Sequence, residues 1–302
     1  MLCFSTTKIL AQELFPQTEP ASNIPKEVIA IKIENEFYGD GNARRSWQGY
    51  KFMYGINSKW MISQTFSFSN HHGFKLPGDF IDSTGNGNKF TDGVKRGMKY
   101  PYRFENLCVN VKYRFLSCDG DHKHFRMASY LDLAGGNDAH YNAEPNLEGD
   151  NSGIGGGIIA TLLRNKFAAS LTTGFIIPHF YKQFFPDILI RYGSDFNYSL
   201  SFGYLLLPRT YKNYRQTNVN LYVEFIGNAY GSAKISQDGQ NISIANDPAF
   251  QNGNYLEMRP SIQFILHSNT RIDFSISQPL ISHSYSKTDP AFYFNIARNF
   301  FL

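Results

Sequence analysis

The sequence predicts an all-β chain: a transmembrane antiparallel up-and-down β-barrel of about 12 strands. Three observations predict it. Apolar and polar residues alternate with period two through a dozen segments, as strands with one dry face require. Charges fall almost wholly on one parity of those segments. The connections alternate between short turns and long polar loops, the pattern of a barrel with one looped rim.

The elements follow in order. After a lead containing Pro16, Pro20 and Pro25, "VIAIKIENEF" sets Ile29, Ile31, Ile33 and Phe37 against Lys32, Glu34 and Glu36. "WQGYKFMYGI" sets Tyr50, Phe52, Tyr54 and Ile56 against Lys51, and "KWMISQTFSF" sets Trp60, Ile62, Phe66 and Phe68 against Ser63, Thr65 and Ser67. A polar stretch follows, from Asn70 to Lys99. "YRFENLCVNVKYRF" then opposes Leu107, Val109, Val111, Tyr113 and Phe115 to Asn106, Asn110, Lys112 and Arg114. "HFRMASYLDL" opposes Phe125, Met127, Leu131 and Leu133 to Arg126 and Asp132. The loop from Gly135 to Asn151 leads to "GIGGGIIATLL" and, past Arg164-Asn165, to "KFAASLTTGFI".

A further loop precedes "SDFNYSLSFGYLLL", where Phe196, Tyr198, Leu200, Phe202 and Tyr204 oppose Asp195, Asn197, Ser199 and Ser201. The span from Ile176 to Arg191 has room for extra short strands. "TNVNLYVEF" turns Val219, Leu221, Val223 and Phe225 away from Asn218, Asn220 and Glu224. A long loop runs from Gly227 to Asn254. "YLEMRPSIQFIL" sets Leu256, Met258, Ile262 and Phe264 against Glu257, Arg259, Ser261 and Gln263, and "RIDFSIS" sets Ile272, Phe274 and Ile276 against Arg271 and Asp273. In the last segment Phe292, Phe294, Ile296, Phe300 and Leu302 share one parity, so this strand is expected to close the barrel against the first.

Composition agrees. Charged residues make up 18% of the 302 residues and aromatics 16%, against roughly 25% charged in an ordinary soluble domain. Mean hydropathy is −0.34, and no apolar run approaches the roughly 18 residues of a spanning helix. The net charge of +4 is spread along the chain without a basic run, which argues against a nucleic-acid partner. Cys108 and Cys118 end one strand about 33 Å apart, too far to bridge, so free thiols are expected. Trp47, Trp60, Tyr102 and Tyr204 near strand ends suit interface girdles. Residues 1–11 read as the remnant of a signal peptide, 12–27 as a periplasmic lead, and 28–302 as the barrel.

Two stretches, "YGSDFNYSLSFGYLLLP" (Tyr192–Pro208) and "LEMRPSIQFILHSNTRIDFSISQPL" (Leu256–Leu280), resemble the later strands of the "MetA-pathway of phenol degradation" family of outer-membrane channels. The resemblance covers the C-terminal third and rests on strand patterning and the Arg-Pro and Gln-Pro-Leu positions. It implies a barrel that passes small compounds, hydrophobic ones among them, across a bacterial outer membrane. The ending, with Phe294, Ile296, Phe300 and Leu302, resembles the signal by which Gram-negative outer-membrane proteins meet the barrel assembly machinery. Leu302 stands where that signal usually has Phe. Outer-membrane lipid, the assembly machinery and a small-molecule solute are the expected partners, and both chain ends are expected at the periplasmic rim.

The polar parity supplies the candidate site. Lys112, Arg114, Arg126, Asp132, Glu224, Glu257, Arg259, Arg271 and Asp273 are expected in the lumen, either as a constriction that selects solutes or as a network that fills a narrow interior. No catalytic residue, metal or cofactor is expected. Ser69 with His71 and His72 is the one enzyme-like string, but in the outer-membrane phospholipases, which are similar in size, the His precedes the Ser by two residues, and here no His lies upstream. His122 and His124 share a face without an evident third ligand. The acidic loop Gly135–Asn151 has oxygen ligands but no EF-hand order. The functional alternatives are therefore a passive channel, a surface barrel with a closed lumen that serves structure or partner binding and, ranked last, a lipid hydrolase.

Overall fold

A computed structural model describes residues 14–40, 43–71, 100–136, 142–210, 216–245, 247–285 and 287–301. Along the chain the strands are β1 (Val28–Asp40), β2 (Ala43–Gly55), β3 (Trp60–Ser69), β4 (Arg103–Gly120), β5 (Lys123–Gly135), β6 (Gly153–Arg164), β7 (Phe167–Pro178), β8 (Tyr181–Phe184), β9 (Asp187–Arg191), β10 (Asp195–Leu207), β11 (Asn218–Tyr230), β12 (Lys234–Gln237), β13 (Gln240–Ile242), β14 (Gly253–Leu266), β15 (Thr270–His283) and β16 (Ala291–Phe301). Twelve of them close a barrel in the order β1-β16-β15-β14-β11-β10-β7-β6-β5-β4-β3-β2. Every neighbouring pair is antiparallel, and β16 seals the wall against β1 with Val28 opposite Phe301 and Phe37 opposite Phe292. The predicted fold class and strand number hold.

The alternation of the sequence becomes the two faces of the wall. Phe52, Phe104, Leu131, Leu171, Phe175, Ile276 and Phe292 are exposed on the outside, while Lys32, Lys51, Lys112, Glu224 and Asp273 are buried inside. With hydrocarbon outside, the outer set needs no further cover. On β16, Ile296 and Phe300 point outward beside Phe292, and Tyr293 and Asn295 point inward. Phe294 packs tilted against Phe274 of β15, ring centroids 5.1 Å apart. Leu302 lies outside the described residues.

Four register shifts interrupt the wall, and the two that flank β4 change which side chains face inward. Between Ser67 and Phe68 the partner on β4 jumps from Asn106 to Phe104, which puts both Glu105 and Asn106 inside. Between Arg114 and Leu116 the partner on β5 steps from Ala128 to Met127, so Phe115 and Leu116 are both exposed.

One rim carries short connections, 56–59, 121–122, 165–166 and 267–269, with 208–217 between strands β10 and β11. The other carries 41–42, 70–102, 136–152, 179–194, 231–252 and 284–290. Connections 179–194 and 231–252 contain a second sheet, in the order β13-β12-β9-β8. Room for short strands is thus filled within 176–191, whereas β12 and β13 lie in a stretch the sequence presents as loop. Ile188, Ile190, Ile235 and Phe250 form a small core beneath this sheet, and Phe184 and Phe185 at the β8–β9 tip stay exposed.

From Leu14 onward the lead runs through the barrel interior. Pro16, Gln17, Thr18, Glu19, Pro20, Ala21 and Ser22 bond to side chains of β1, β2, β4, β5, β6, β10, β11, β15 and β16. Only a segment inside can reach strands on all sides of a barrel. The physical reason is backbone satisfaction. Three prolines prevent regular structure, so the free N–H and C=O groups need side-chain partners, and the polar lumen supplies them.

Candidate functional site

The lead is fixed at three levels. Phe15 packs edge-on against Tyr222 of β11, ring centroids 5.5 Å apart. Tyr222 can lie flat on the inner wall because Gly203 stands opposite it, where an added Cβ would fall 2.4 Å from the ring. Below it, the buried Glu224 carboxylate accepts from Gln17 N at 3.1 Å and from Thr18 N and Oγ1 at 2.9 and 2.8 Å. Glu19 then meets two lysines: Oε1 lies 3.1 Å from Lys51 Nζ, and Oε2 lies 3.1 Å from Lys112 Nζ. Burial works to raise the Glu19 pKa. The ammonium groups of Lys51, Lys112 and Lys32 outweigh it and hold the carboxyl well below its ordinary value of 4.5. Lys32 and Lys112 also donate to the lead carbonyls of Pro16 and Pro20.

The nine predicted lumen residues face inward but do not form one ring. Lys112, Asp132 and Arg259 border a central cavity. Asp132 accepts from Asn110 at 2.7 Å. Arg259 Nη2 binds Glu257 Oε2 at 2.6 Å, and its guanidinium lies 4.5 Å from the centre of the Tyr293 ring. Glu224 sits opposite Arg259 in the wall and is covered by the lead. Arg271 and Asp273 pair at 3.1 Å beside the tight turn 267–269. Arg126, near the β4–β5 turn, holds Asp119 and donates to Ser22 of the lead. Arg114 is half-buried at the same rim.

The sequence pattern alone did not point to the groups that enter from outside the strands. The connection 136–152, of which 136 and 142–152 are described, folds back over the mouth of the barrel. Glu148 reaches Lys51 at 3.0 Å, Asn106 donates to the carbonyls of Leu147 and Asn151, and Ser67 donates to Gly149 O at 2.6 Å. Lys287, between β15 and β16, binds Glu36 at 3.4 Å, and Tyr293 donates to the same oxygen. Burial would lower the Lys287 pKa, but Glu36, Tyr293 and Glu257 around it raise it well above the ordinary lysine value.

Between the lead and this folded loop lies a cavity of about 350 Å³. Its wall mixes the lysines with Trp47, Tyr130, Ile159 and Tyr293. Trp47 shares the inward parity of Lys51, so it faces the lumen, not a membrane interface as its place near a strand end suggests. Tyr130 faces inward across Gly157 and Gly174, where added Cβ atoms would sit 2.9 and 2.3 Å from its ring and hydroxyl. Those two glycines therefore hold space in the lumen, the reason for their place in an otherwise Ile-rich strand pair.

In the enzyme-like string the Ser69 hydroxyl and the His71 ring have different partners. Ser69 Oγ, fully buried, donates to Glu105 at 2.6 Å, while the His71 ring meets Asp150 at 3.1 Å. His72 lies outside the described residues. His124 pairs with Asp119 at 2.8 Å. Among the described residues no group of three or more His, Cys, Asp or Glu has metal-binding geometry.

No family model matches the chain, and no curated protein sequence does. One solved structure shares its fold. The COG4313 outer membrane channel from Pseudomonas putida F1 aligns over 95% of this chain and 100% of its own, at 10% identity and a TM-score of 0.54. The KdgM and NanC porins each align over 90% of this chain and 99% of theirs, at 6% and 8% identity and TM-scores of 0.43. The chain thus has the closed-barrel fold seen in an outer-membrane channel.

Proposed function

We propose that this protein is an outer-membrane channel for small solutes whose resting lumen is held shut by its own N-terminal lead. The observation that carries this reading is the cavity of about 350 Å³ inside the closed wall, capped on one side by the lead and on the other by the loop that brings Glu148. Both caps are fastened largely by charge pairs and side-chain bonds to backbone, contacts that water and solute can replace. A barrel that only needed filling would be better served by apolar side chains, since buried ion pairs add little net stability.

In this reading the long loops face outward and both chain ends face the periplasm, as short turns do in such barrels. Phe294, Ile296, Phe300 and Leu302 present the closing strand to the assembly machinery. Membership of the "MetA-pathway of phenol degradation" family would fit a solute with an apolar body, which the Tyr130 and Ile159 side of the cavity suits.

Purified, folded protein in planar bilayers tests the proposal. Small discrete current steps whose ion selectivity shifts in Arg259→Gln are expected. Silence from folded protein, in the wild type and in variants that release the lead, would instead leave a closed structural barrel.

A further inference from the structure

The lumen holds three buried lysines on one side of the wall. Lys32 and Lys51 are directly opposite each other on β1 and β2, an arrangement that repels unless an anion lies between. Lys112 joins them from β4. Their side chains are only 6%, 6% and 2% exposed, so unpaired they would be costly to bury. One partner, Glu34, belongs to the wall itself and lies 2.6 Å from Lys32. The other two belong to no barrel strand: Glu19 comes from the lead and Glu148 from the loop.

The charges nearly balance without the loop. Three ammonium groups set against the carboxylates of Glu19 and Glu34 leave one positive charge, and Glu148 neutralises it. Its side chain is 44% exposed, against 29% for Glu19, so Glu148 is the partner that water and solute reach most readily. Asp132, on the same cavity, takes Asn110 and not a lysine. Beside the lysines the cavity wall is apolar and aromatic at Tyr130, Ile159 and Ile176. Trp47 also lines it, and its Nε1 is buried without a hydrogen-bond partner among the described residues.

We infer that Lys32, Lys51 and Lys112 form a carboxylate-binding site, and that Glu148 occupies it as a stand-in for the cargo. A small organic monocarboxylate with an aromatic or aliphatic body would displace Glu148 from Lys51 and lay that body against Tyr130 and Ile159. The single positive charge that Glu148 neutralises favours a monoanion over a phosphate dianion. The inference deepens the channel reading and rests on it for its biological meaning, but binding is measurable without transport.

The test uses the full chain in detergent micelles. Trp47 and Trp60 are the only tryptophans, and Trp60 is exposed on the outer face, so Trp60→Phe leaves Trp47 as a reporter in the cavity. Benzoate is expected to change Trp47 fluorescence saturably, and benzamide, equal in shape but neutral, is expected not to. Lys51→Gln should weaken benzoate by about tenfold or more, the worth of one charge-assisted bond. Glu148→Gln, which leaves the lysines in place, should tighten it several-fold. Equal responses to benzoate and benzamide, or a benzoate affinity unmoved by Glu148→Gln, would overturn the inference. Benzoate binding with no current from the wild type or from variants that release the lead would sink the channel reading and leave this site standing, whereas current without benzoate binding would do the reverse.

Discussion

The Glu19 carboxylate lies 3.1 Å from Lys112 Nζ, inside the barrel, 93 residues away along the chain. One partner is on an irregular lead and the other on a wall strand, so the bond fastens a removable part to a fixed one. Lys51 shares the same carboxylate. Electrostatics of this kind make docking of the lead depend on pH and on charge at a single position.

The sign follows from the lowered Glu19 pKa. A carboxyl whose docked pKa lies below its free value stabilises docking fully above the free value, 4.5, and loses that contribution as pH falls toward the docked value. Current in bilayers is therefore expected to stay low from neutral pH down to that point and to rise only under stronger acid. In Glu19→Gln the rise should be blunted, and the current at neutral pH should already be higher than in the wild type.

Glu257 and Arg259 form a buried pair stacked on Tyr293. Glu257→Ala leaves the guanidinium without its main partner, and a loss of about 3–5 kcal/mol is expected. The double variant Glu257→Leu/Arg259→Met should lose less than the single one. The temperature at which the folded form disappears on an unheated gel measures both.

Gly203 makes room for Tyr222, since all three nearest atoms to an added Cβ belong to that ring. Gly203→Ala is expected to destabilise the barrel and loosen Phe15, which packs on Tyr222. Adding Tyr222→Ala should restore the wall but not the seat of Phe15. The same thermal assay reads the first effect, and bilayer current reads the second.

Much of the fold was legible because lipid outside and water inside impose period two on every wall strand. Parity alone placed Lys112, Glu224, Arg259 and Asp273 inside, and it carried the closure of β16 on β1. Trp47 shares the parity of Lys51, and that parity places it inside despite its nearness to a strand end. The short strands β8, β9, β12 and β13 have three to five residues each, too few for a period to show among prolines and glycines. The lead and Glu148 were not legible for another reason. Their partners are fixed by closure of the barrel, not by local pattern, so Thr18 and Glu224, 206 residues apart, share no signal in the sequence.

The most direct measurement is single-channel conductance of Glu19→Ala/Glu224→Ala beside the wild type, both shown to be folded. These changes remove the charge pairs and the three bonds that Gln17 and Thr18 make with Glu224, while leaving the wall intact. The account predicts a several-fold larger or longer open state in the variant. Identical conductance, or silence in both, would contradict a lumen closed by its own lead.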